Sequence, residues 1–236
     1  MVSEQRPTDD GPAAGAAAPV WLRDERRAPA RRAEPLSLER IVAAAVVELD
    51  AHGAERLTMR RLAQRLEVTS TALYWHVTTK EDLLDLAVDA VLGEVVLPDA
   101  QTRPRSALRS LLTGWRTTML AHPWSPTLLA RPLLGPHSLA RMEFLQAMLS
   151  RAGLAGAELA SATRLLADLV VGAAVIDASW RRLDRATLVP RVRAHIGDRE
   201  DLYPTLSSSG FAEEGPSDDE LFEAGLDRVL DALVGP

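Results

Sequence analysis

The stretch that decides the fold is Thr69–Leu84, TSTALYWHVTTKEDLL, which begins two residues beyond the amphipathic run TMRRLAQRL at 58–66. In that run Leu62 and Leu66 stand four apart and form an apolar stripe, while Arg60, Arg61 and Arg65 project elsewhere. Thr58 is placed to cap it. A break at Glu67 to Thr69 separates it from a second short helix, STALYWHV, beginning near Ser70. Two short helices joined by a turn of three or four residues describe a helix-turn-helix. Tyr74, Trp75 and His76 are adjacent in a chain whose aromatic content is 4%. Successive helical positions point about 100° apart, so three neighbouring rings cannot all enter one core. Leu73 is the natural core residue, closing against Leu62 and Leu66, and at least one ring must face outward.

A DNA duplex is a surface that suits such rings. A ring or hydroxyl can pack along the sugar-phosphate backbone or against a thymine methyl. The charge balance is compatible with a few placed contacts rather than coating. Over 36–82 six basic side chains face seven acidic ones, and the whole chain carries a net charge of -6.

Working outward, SLERIVAAAVVELDAHG predicts a first helix. Ser37 is its cap, Ile41, Ala44, Ala45 and Leu49 its inner face, and Gly53 its end. Residues 1–35 are rich in Ala, Pro and Gly without apolar periodicity and predict a disordered arm. Arg23, Arg26, Arg27, Arg31 and Arg32 make its distal part basic. That suits either a solvated tail or an arm touching DNA. Beyond Lys80, helices are expected to about Pro98, over 105–123, over 137–154 and over 157–183, with a final one at 219–233. The stretch HPWSPTLLARPLLGP, with four prolines, predicts short turns, and 197–219 a mobile connection. No segment alternates with period two, so the expected class is all-α. The expected division is an arm at 1–35, a helix-turn-helix domain at 36–82 and a helical ligand-binding and dimerisation domain at 83–236.

The run LTMRRLAQRLEVTSTALYWHVTTKEDLL resembles the tetracycline-repressor (TetR) family of bacterial transcriptional regulators nearly position for position, and LYWHV resembles the tetracycline repressors themselves. AHPW, the GP before a helix, and FEAGLDRVLDAL are similar to the C-terminal domain of that branch. The resemblance implies that Ser70, Thr71 and Ala72 open the recognition helix toward base edges. It implies that Tyr74 and His76 contact backbone or bases, that Thr58 bonds a phosphate and that Lys80 holds another. Trp75 is weighed evenly between packing and contact. Arg60 joins the set as part of a basic face. Thr69, Ser70 and Thr71 depart from the tetracycline repressors, so a different operator is expected.

For the remaining helices two uses stand beside each other. Leu165, Leu169, Gly172, Ala173, Ile176 and Trp180, with Leu221, Leu226, Val229, Leu230 and Leu233, suit either an intrachain core or half of a four-helix dimer interface, and the resemblance favours the homodimer. Trp115, Met119, Trp124, Met142, Leu145 and Met148 suit either plain core or a ligand cavity. Asp168 and Asp177 lie in an apolar helix, where each needs an arginine or a ligand to orient. His122 and His137 are too isolated for a metal site. No metal, cofactor or magnesium-tetracycline arrangement is expected. The absence of cysteine removes thiol chemistry, and with no signal peptide or membrane span it fits a cytoplasmic protein. No nucleophile or phosphate-loop motif supports an enzyme. The expected function is a repressor that leaves a palindromic operator when a small molecule binds. A DNA-binding protein without a ligand is the alternative.

Overall fold

A computed structural model describes residues 36–129, 134–209 and 215–235. The basic arm therefore lies outside the described residues. All regular structure described is α-helical.

The small unit is built from α1 (Leu38–His52), α2 (Met59–Arg65) and α3 (Ser70–Tyr74). Ser37, Thr58 and Thr69 each accept a hydrogen bond from the backbone three residues on, so local chemistry sets all three starts. Ile41, Ala45, Leu49, Leu57, Leu62, Leu73 and Val77 close the core. The turn from α2 to α3 places Glu67 at φ 56, left-handed without a glycine, while Val68 N–H donates to Ala63 O. That single residue reverses the chain.

Next comes α4 (Lys80–Gly93), opened by a capping box in which Thr79 and Asp82 exchange hydrogen bonds. It runs unbroken across the boundary expected after residue 82. Leu83, Ala87, Val88 and Val91 are fully buried, and the helix packs on α1 as well as on the larger domain.

The larger domain comprises α5 (Pro104–Ala121), α6 (Ser125–Leu128), α7 (Pro136–Arg151), α8 (Gly156–Trp180), α9 (Arg185–Gly197), α10 (Pro204–Ser208) and α11 (Asp218–Val234). Helix α5 is central, against α4, α7, α8 and α11. Two features differ from the sequence-based expectation. Helix α9 was not anticipated, because Pro190 interrupts its pattern and Ile196 is its one buried residue. Within the stretch expected to be a mobile connection, α10 forms because Pro204 occupies a first-turn position, where its missing N–H is harmless.

Arg116 fastens the domain. It lies 2.7 Å from Asp177 of α8 and 2.7 Å from Asp219 of α11, and its guanidinium sits 4.7 Å from the Phe222 ring centre. Burial pulls its pKa down, but the bonds to Asp219 and Asp177 outweigh this and raise it. Asp177 is thus one of the two helix carboxylates that needed an arginine.

Candidate nucleic-acid interface and interior effector site

The end of α3 answers the question of the three rings. Leu73 is fully buried and anchors the helix, and Val77, just beyond its end, is nearly so. Tyr74 is 53% exposed and Trp75 is 75% exposed, while His76 is half-buried. Trp75 is therefore not a packing residue of this chain. Thr58, Arg60 and Thr71 are exposed, and Ser70, Ala72 and Lys80 are half-buried. Thr58 Oγ1 accepts from Arg61 N–H, which leaves its hydroxyl proton to donate outward. Lys80 Nζ donates to Ala54 O at 2.9 Å, so the ammonium is held in place with two protons to spare. The arginines of α2 divide by role. Arg61 and Arg65 stand 3.4 and 3.0 Å from the buried Glu48 of α1 and brace the unit, whereas Arg60 makes no ion pair among the described residues.

In the larger domain Trp115, Met119, Leu145 and Met148 are buried in the hydrophobic core, and Met142 packs half-buried against that core. Trp115 Nε1 and Thr113 Oγ1 are buried without hydrogen-bond partners among the described residues. Two of the expected ligand residues are elsewhere. Asp168 is exposed and pairs with Arg164 one turn away at 2.7 Å, because it sits two residues from both Leu166 and Val170 and so faces away from the buried side of α8. Trp124 turns toward the small unit, donating from Nε1 to Asp50 at 2.6 Å. There it borders a cleft of about 560 Å³ with Leu49, Arg56, Pro123 and Arg182.

Helix α4 connects the two regions. Its buried Asp89 accepts from His137 and Ser138 N–H at 3.2 and 2.8 Å, capping α7 from outside. Arg141 of α7 donates to Val95 O just beyond α4 at 2.9 Å, and burial lowers its pKa against the opposing pull of Asp89. Gly93 permits the close approach, since a Cβ there would stand 3.2 Å from the His137 ring. The sequence offered no local signal for these links, or for His122, which bonds Asp50 and Glu94 across 72 and 28 residues.

A helix-turn-helix with exposed rings, coupled through one shared helix to a larger helical domain, defines a DNA-binding regulator. The comparisons with known proteins agree. Residues 41–87 match the model of bacterial regulatory proteins of the tetR family, and 97–234 match the tetracyclin repressor-like C-terminal domain. An HTH-type transcriptional regulator of Saccharopolyspora erythraea is 39% identical over 93% of this chain and 91% of its own. The HTH-type transcriptional repressor DrrR1 of Streptomyces coeruleorubidus is 34% identical over 91% of this chain and 83% of its own. The Streptomyces coelicolor TetR family protein ActR, in its complex with actinorhodin, superposes with a TM-score of 0.76 at 30% identity, over 84% of this chain and 97% of that one. The chain belongs to the tetR family of bacterial regulatory proteins, whose members are DNA-binding transcriptional regulators rather than enzymes.

Proposed function

We propose that this protein is a cytoplasmic, homodimeric repressor that binds a palindromic operator and releases it when a small molecule enters the larger domain. The observation that carries the reading is the pair of exposed rings, Tyr74 and Trp75, at the end of a helix whose other side is fixed by a fully buried leucine. Around them Thr58, Arg60, Ser70, Thr71, Ala72, His76 and Lys80 supply the remaining base and phosphate contacts. Two copies would place their α3 helices in successive major grooves, about 34–36 Å apart. The dimer would use the outer faces of α8 and α11, where Leu165, Ile176 and Leu221 are 48%, 58% and 57% exposed. Leu226 and Leu230 are fully buried within one chain and belong to its own core.

The effector site is the interior around Trp115, Met119, Met142, Leu145 and Met148. Met side chains adapt to ligand shape, and Trp115 Nε1, which has no hydrogen-bond partner among the described residues, offers a donor to a ligand oxygen. A multi-ring compound bearing carbonyl or phenolic oxygens fits that chemistry, and the similar protein ActR has been solved in complex with actinorhodin. A ligand that spreads α5 from α7 pulls α4 through Asp89 and Arg141. Helix α4 then shifts the small unit, and a few Å of movement spoils the groove spacing. The test is anisotropy of labelled DNA from upstream of the gene, with and without multi-ring phenols and quinones. Binding relieved by such a compound supports the reading, and binding unaffected by any of them favours a DNA-binding protein without a ligand.

A further inference from the structure

Three helix ends meet at one histidine. Asp50 is in the last turn of α1, Glu94 follows the last residue of α4, and His122 follows the last residue of α5. The imidazole stands between the two carboxylates, with Nδ1 2.7 Å from Asp50 Oδ1 and Nε2 3.1 Å from Glu94 Oε2. A neutral ring has a single N–H and donates to one carboxylate only, which leaves the other nitrogen facing an acceptor with no proton between them. The imidazolium donates to both. Each converging helix C-terminus adds partial negative charge, which again favours the cation.

The surroundings are consistent with this. The His122 side chain is 12% exposed. Burial pulls its pKa down, but the hydrogen bonds to Asp50 and Glu94 outweigh burial and hold it above the ordinary imidazole value. From the end of α8, Arg181 and Arg182 donate to Leu120 O and Pro123 O, on either side of the histidine, and oppose its charge. His52, Glu55 and Arg56 line the adjoining cleft, and α6 presents only uncharged Ser125 and Thr127. An open cleft lies beside this corner, and the buried Trp124, whose ring stands edge-on to that of His122, donates to the same Asp50 oxygen.

We propose that the His122 imidazolium is the tie that positions the DNA-reading unit on the larger domain. Charged, it clamps the ends of α1 and α4 to the α5–α6 corner, and neutral, it releases one of them. The direction of its effect rests on the repressor reading, in which the ligand-free arrangement is the one that binds operator. For a histidine whose pKa is raised in the clamped form, the clamp is complete below the ordinary imidazole value and is lost as pH rises through the raised one. Operator affinity therefore falls with rising pH, by up to about tenfold for each unit by which the clamped and released pKa values differ.

The experiment uses full-length protein and a duplex selected in vitro from random sequence. Affinity is read by anisotropy from about pH 5.5 to 9 at constant ionic strength, alongside an NMR titration of the His122 ring. His122 should titrate above the ordinary histidine value, and affinity should fall over the same range. Glu94→Gln, at an exposed position, should move both inflections to lower pH, which a purely structural residue would not do. His122→Gln should flatten the profile. A ring that titrates normally, or an affinity profile that Glu94→Gln leaves in place, overturns the tie. If no duplex is selected, the repressor reading is what fails, and the ring titration alone then decides on the tie. Should His122→Gln not fold, the Glu94→Gln shift carries the test.

Discussion

Replacing Trp75 with alanine separates folding from DNA reading. Burying a large apolar side chain completely contributes roughly 1.5–3 kcal/mol to stability. Trp75 is 75% exposed, so only about a quarter of that, roughly 0.4–0.8 kcal/mol, is at stake in the free protein. Its neighbour Leu73 is fully buried, and Leu73→Ala should cost about 2–5 kcal/mol. On DNA the order reverses. A ring lying against the groove contributes on the order of 1–3 kcal/mol to specific binding, so Trp75→Ala or Tyr74→Ala should raise the operator Kd about 5- to 150-fold. Nonspecific binding, carried by phosphate contacts, should change less. The assay is urea unfolding followed by circular dichroism for each variant, with anisotropy on operator and scrambled duplexes across a salt series. If Trp75→Ala unfolds the domain, or if the operator-to-scrambled ratio is unchanged in the folded variant, the assignment of α3 as the reading element is refuted.

Other perturbations test neighbouring parts of the argument. Lys80→Ala removes a phosphate contact that carries no sequence information, so affinity for operator and scrambled DNA should fall together, with the salt slope reduced by about one unit; a loss confined to operator would contradict this. Glu67→Gly relieves a left-handed φ of 56 and should stabilise the protein by up to about 1 kcal/mol in urea titrations. Asp177→Ala strips one of two carboxylates from the buried Arg116 and should cost about 2–3 kcal/mol, less than a fully broken buried pair because Asp219 remains. Ile176→Arg, at a position 58% exposed in one chain, should leave a folded monomer in sedimentation, and an unchanged dimer would remove α8 from the interface.

The sequence by itself determined the parts whose causes are local. The caps at Ser37 and Thr58, the apolar spacing in α1, α4, α5 and α8, and the arithmetic that three adjacent rings cannot share a core all follow from residues within two turns of one another. Tertiary structure alone decided how polar groups far apart in the chain are paired. Asp168 and Asp177 look alike in sequence, yet one faces outward to Arg164 and the other is enclosed by Arg116, because α8 turns only one of them toward α5. Trp124 and Trp115 likewise look like one apolar set, and packing sends Trp124 to Asp50 instead. His122 meets carboxylates 72 and 28 residues away only because three helices end at the same corner. Helical periodicity assigns a residue to a face, and the direction of that face in space depends on how the helices pack.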